Sequence, residues 1–139
     1  MKIIYQNLEG GVSVIHPTGA LSIEEVAAKD VPEGLAYEIV EDDVIPSDRT
    51  FRDAWRKDGT SVVENLAAAK EIAHAMRRTK REQEFKPHDD LIAKQIPGTD
   101  TDAAEASRAT IRTKYATMQA GIDEATTTAE IKAALEGAS

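Results

Sequence analysis

The chain has 139 residues and no cysteine, and carries a formal net charge of −8 with 41% hydrophobic and 30% charged residues. That is enough chain for one ordinary domain or two very small ones, with no disulfide and no thiolate metal site. An acidic balance disfavours a general phosphate-binding surface, and no apolar run approaches the roughly 20 residues that span a bilayer.

The charge is uneven. Residues up to Thr60 hold 12 acidic and 6 basic side chains, and those from Ser61 onward hold 13 and 11. Aromatics make up only 4%. Alanine buries little area, and burial stabilises by roughly 25 cal/mol per Å². A thin core is therefore expected, supplemented by packing between subunits.

Lys2 to Asn7 is β-branched and aromatic and reads as a strand. It turns polar too soon for a signal peptide. Leu8-Glu9-Gly10-Gly11 makes a turn, with the glycines expected to supply positive φ angles. Val12 to His16 returns as a strand, and Pro17 ends it. Ser22 with Glu25 three residues later forms a capping box, so a short helix runs to about Lys29 and closes before Pro32 and Gly34. Leu35 to Val40 is a third strand, ended by Glu41-Asp42-Asp43 and Pro46.

Phe51 to Arg56 fits either a helical turn or a strand, since Phe51 and Trp55 share a face in both. The favoured reading is a second hairpin, Ala54 to Arg56 against Ser61 to Val63, around Lys57-Asp58-Gly59-Thr60. Asn65 caps a helix with an apolar stripe of Leu66, Ala69, Ile72, Ala73 and Met76. The charged stretch Arg77 to Glu84 is expected to be solvated. Pro87 is expected to stop the helix near Phe85, leaving Lys86 to Asp100 as a loop with a Pro97-Gly98 turn. A second helix, capped by Asp100 or Thr101, runs to about Gly121 with Ile111, Tyr115, Met118 and Ile122 on one face. Thr126-Thr127-Thr128 breaks it, and Ala129 to Glu136 forms a last short helix. Gly137-Ala138-Ser139 has no local reason to be ordered. The expected fold class is α+β. A small head of strands with one short helix, residues 1–64, precedes an all-α helical hairpin and terminal helix, residues 65–139.

No side-chain set points to catalysis. His16, His74 and His88 lack a metal-ligand spacing. His88 with Asp90 is a weak cation pair, better read as solvated loop. Glu41-Asp42-Asp43 lacks the spacing and central glycine of a calcium loop. Ser13 and Ser47 lack a nucleophile elbow, and Gly10-Gly11 is no phosphate loop. An enzyme reading, a small nuclease or lysis factor, would rest on His74 or His88. Catalytic residues, cofactors and metals are therefore expected to be none.

Arg77, Arg78, Lys80 and Arg81 form one basic patch. Interleaved glutamates and the missing aromatic platform favour a helix-end charge network, or contact with an acidic partner, over nucleic acid. Trp55 and Phe51 should dominate local burial. Core packing between head and helices is preferred for them over a partner-binding role, and Arg49 and Arg52 pair with Asp48 and Asp53 or with a partner. The partner-binding candidates are Arg49, Phe51, Arg52, Trp55, Tyr115, Met118 and Ile122.

Three segments carry a resemblance: the opening Met1-Lys2-Ile3-Ile4-Tyr5-Gln6-Asn7, then Gly11-Val12-Ser13-Val14-Ile15-His16-Pro17, then Ser47-Asp48-Arg49-Thr50-Phe51-Arg52-Asp53-Ala54-Trp55. In order and spacing they resemble a family of small tailed-bacteriophage proteins from the tail and tail-fibre region. The likeness covers about residues 1–75; the helical remainder departs from it. It implies a minor structural protein of the virion tail or fibre-attachment region, present in several copies or as a homo-oligomer, with other tail or fibre proteins as partners. The alternative it implies is a tail-fibre assembly chaperone absent from the mature virion. It brings no catalytic residues, and neither nucleic acid nor membrane is an expected partner. The expected location is the virion, after synthesis in the host cytoplasm.

Overall fold

The computed structural model describes residues 1–94 and 101–137. Among them are five strands and four helices: β1 Lys2–Gln6, β2 Val12–Ile15, α1 Ile23–Asp30, β3 Tyr37–Val40, β4 Trp55–Asp58, β5 Ser61–Glu64, α2 Leu66–Lys94, α3 Thr101–Glu124 and α4 Thr128–Glu136. This is the expected α+β order of strands first and helices after. The chain divides into two compact units, residues 1–69 and 70–139, with the division inside α2 rather than at Asn65.

In the first unit β1 is the central strand of an antiparallel sheet ordered β2-β1-β3. It is central because consecutive residues, Ile3 and Ile4, are both fully buried, and successive strand side chains point to opposite faces. Register places Ile3 beside Ile15 and Ile39. That face packs on Val26, Ala27 and Val31 of α1 and its end. Ile4, Val12 and Val40 form the other face, covered by Trp55 and Val62 of the β4–β5 hairpin. The small sheet is thus sandwiched, which lets few side chains exclude water from both faces.

Local signals explain the boundaries. The Ser22 side chain accepts from the Glu25 backbone N–H while Glu25 reaches back to the Ser22 N–H, completing the capping box. Hydrogen bonding holds the Glu25 carboxyl below its usual range, first through the Ser22 backbone. At the first hairpin only Gly10 has a positive φ, 89°. The neighbouring turn is held instead by Asn7 Oδ1, which accepts from the Glu9 and Gly11 N–H groups. Residues Arg52–Ala54 form a 3-10 turn and the strand begins at Trp55, so the ambiguous segment is both things in succession. Asn65 Oδ1 accepts from the Ala68 N–H at 2.9 Å, capping α2.

Two expectations about α2 are overturned. Pro87 does not stop the helix, and residues 86–94 are helical rather than loop. The lost amide donor is offset by contacts on both sides of the proline: Phe85 is buried, and Asp89 pairs with Arg108 at 2.9 Å. The Pro97-Gly98 turn, a cap at Asp100 and the final Ala138-Ser139 lie outside the described residues. Helix α3 continues past Gly121 to Glu124. Thr127 then caps α4, accepting from the Glu130 N–H. Among the described residues no helix is long and apolar enough to cross a membrane.

Candidate functional site: an arginine-lined groove

Three side-chain bridges set the geometry of the second unit. His74 meets Asp123 at 2.8 Å, Glu84 meets Lys114 at 2.7 Å, and Asp89 meets Arg108 at 2.9 Å. Residue numbers rise along α2 as they fall along α3, so the two helices run antiparallel as the expected helical hairpin. Helix α4 folds back on α3 at a close approach: a Cβ on Gly121 would lie 3.1 Å from the Ala134 Cβ.

Between α2 and α3 an open groove of about 680 Å³ is lined by Arg77, Arg78, Arg81, Glu82, Phe85 and Asp89 from one side and Arg108, Arg112, Tyr115, Ala116 and Gln119 from the other. Helical spacing explains the lining. Arg77, Arg81 and Phe85 are four residues apart in series, as are Arg108 and Arg112, and such residues share a helix face. The charged stretch is solvated as expected, residues 78–83 being exposed, and part of it also lines this open recess.

The guanidiniums are held in different ways. That of Arg81 lies 4.7 Å from the Phe85 ring centre and that of Arg108 5.6 Å from it, which orients two cations against one aromatic ring. Arg108 also reaches Asp89 and, at 3.1 Å, Glu105. Its Nε is buried without an aligned hydrogen bond, so the Asp89 contact is ionic rather than a well-directed N–H···O bond. Arg77 Nε donates to His74 Nδ1 at 3.3 Å. Since an arginine can only donate, His74 must carry its proton on Nε2 and give it to Asp123. Burial, followed by repulsion from Arg78 and Arg81, lowers the Arg77 pKa from its ordinary value. At the groove floor Tyr115 is 1% exposed. Burial, together with its hydrogen bond to the Glu84 carboxylate, pushes its hydroxyl up to about 12.

The seven partner-binding candidates separate by burial. Arg49 and Arg52 are exposed, with the Arg49 guanidinium 5.6 Å from the Trp55 ring centre. Phe51, Trp55, Tyr115, Met118 and Ile122 are interior, Trp55 and Ile122 at 0% exposure. Their side chains are buried, and of the five only Tyr115 reaches the groove, at its floor. Trp55 packs on the three-stranded sheet through Ile4, Val12 and Val40. Asp48 Oδ1 accepts from the Thr50 N–H and hydroxyl.

His74 is committed to Asp123 and Arg77, and Asp90 to Lys86. Among the described residues no group of three or more histidine, aspartate or glutamate side chains is placed to hold a metal ion. Sequence reading singled out Arg77, Arg78 and Arg81 but missed Arg108 and Arg112. The i, i+4 arginine pair on α3 was the available signal. No family model, curated protein or solved structure matches the chain.

Proposed function

We propose that the protein is a minor structural component of a bacteriophage virion, in the tail or its fibre-attachment region, acting through protein–protein contacts. The observation that carries the contact role is the arginine-lined groove, a recess whose chemistry is charge recognition. Its walls hold guanidiniums and carboxylates, and His74, which bonds Arg77 of the lining, is tied into the helix pair. The place in a particle rests on the resemblance of the three N-terminal segments. The two small cores, poor in aromatics, support a protein present in several copies or as a homo-oligomer, stabilised further by tail or fibre neighbours.

Mass spectrometry of purified virions tests this. The chain is expected among the particle proteins in a fixed ratio to the tail proteins. Its absence from mature virions would overturn the structural role. Co-purification with the fibre protein from infected cells alone would replace that role with fibre assembly.

A further inference from the structure

We infer that the α2–α3 groove is a carboxylate-binding site for an acidic segment of a partner protein, with Arg78, Arg81 and Arg112 taking the carboxylates. The inference deepens the contact role proposed above and rests on it for the class of partner.

The groove holds five guanidiniums against two carboxylates, Glu82 and Asp89. Two of the five are already engaged by polar groups: Arg108 by Asp89 and Glu105, and Arg77 by His74. Arg78, Arg81 and Arg112 have no carboxylate partner among the described residues. Arg81 is nonetheless oriented, by its contact with Phe85. Crowded cations raise one another's free energy; burial first, and then Arg78 and Arg81, lower the Arg77 pKa. A bound anion relieves that cost, and arginine's planar fork suits a carboxylate bidentately.

A peptide fits better than a nucleic acid for three reasons. The whole chain carries −8, which repels a long polyanion at a distance. Glu82 and Asp89 sit in the groove itself; a carboxylate on a flexible side chain can settle beside an arginine and away from them, whereas a phosphate is fixed in the backbone of its strand. Stacking of bases needs an open aromatic face; the Phe85 ring is taken by two guanidiniums and Tyr115 is buried. The volume of about 680 Å³ accommodates a few side chains rather than a folded surface.

The test is fluorescence anisotropy of the full chain with a labelled octaglutamate peptide, using octaglutamine and an oligothymidylate of similar length as comparisons. Octaglutamate should bind, more weakly as salt is raised, and octaglutamine should not. The double variant Arg78→Gln/Arg112→Gln should weaken binding about tenfold or more, the scale of losing two charge-assisted contacts. Both side chains are exposed, so helical circular dichroism should be unchanged; Arg112→Gln alone serves if the double variant unfolds. Equal binding of octaglutamine, indifference to the substitutions, or tighter binding of oligothymidylate would each overturn the site. Absence of the protein from virions would leave the peptide result standing, so the two readings fail separately.

Discussion

The Asp89 carboxylate of α2 lies 2.9 Å from Arg108 Nε of α3, two residues beyond a proline that the helix does not obey. Proline at 87 lacks the N–H that would bond the Gln83 carbonyl, and an interior proline costs a helix roughly 3 kcal/mol. The side chain of Pro87 is exposed. Pro87→Ala should therefore restore the bond and stabilise the second unit by about 1–3 kcal/mol. Urea unfolding followed by helical circular dichroism measures it.

Trp55 is the only tryptophan and is fully buried, packing on Ile4, Val12 and Val40. Its indole N–H has no acceptor among the described residues, so its contribution is packing rather than hydrogen bonding. Trp55→Ala should cost about 3–5 kcal/mol by opening a cavity on that face of the sheet. Trp55→Phe should cost less, because it also removes the unpaired donor. Denaturant curves of the three proteins give the order, and intrinsic emission of the parent should shift to the red as the first unit unfolds.

Glu84 and Tyr115 make the second unit sensitive at both ends of the pH scale. A hydrogen bond from Lys114, above all, holds the Glu84 carboxyl below the usual carboxylate range. A depressed folded-state pKa gives stability that is present above the unfolded value and lost as pH falls through the folded one. Stability should thus decline below about pH 4.5. Glu84→Gln should flatten that decline without removing it, since Glu130 is lowered too.

Tyr115 works in the opposite direction. Its hydroxyl rises from 10.0 to about 12 on folding, so the stability it gives is present below pH 10 and is lost as pH climbs through about 12. In a Tyr5→Phe/Tyr37→Phe background, phenolate absorbance should appear late and together with loss of helix. Tyr115→Phe should remove this alkaline sensitivity.

Gly121 sits where α3 meets α4. Added bulk there runs into Ala134, whose Cβ would be 3.1 Å from a new Cβ. Gly121→Leu should force the helices apart and cost about 1–3 kcal/mol. Thermal unfolding should show it as a lowered midpoint, whereas leucine at exposed Ala120 should have little effect.

Much of the fold was legible locally. The Ser22–Glu25 box, the Asn65 cap, the β-branched runs of β1 and β2 and the Ile111-Tyr115-Met118-Ile122 face are short-range patterns, and the structure contains each. They could be read because capping and side-chain periodicity act within a few residues. The same patterns identify Tyr115, Met118 and Ile122 as apolar, but not whether they face a partner or their own unit. Burial decides that, and it places them inside.

Sequence alone determined the α+β order, the strand-then-helix division and a basic stretch at Arg77 to Arg81. Tertiary structure decided what Pro87 and that stretch become. A proline ends a helix unless contacts beyond it offset the missing bond, and those contacts, Asp89 to Arg108 among them, come from residues distant in the chain. Likewise the run of arginines stays a solvated face, but only a second helix brings Arg108 and Arg112 opposite it. The register of α2 on α3 turns local charge into a groove, and register belongs to packing rather than to either segment.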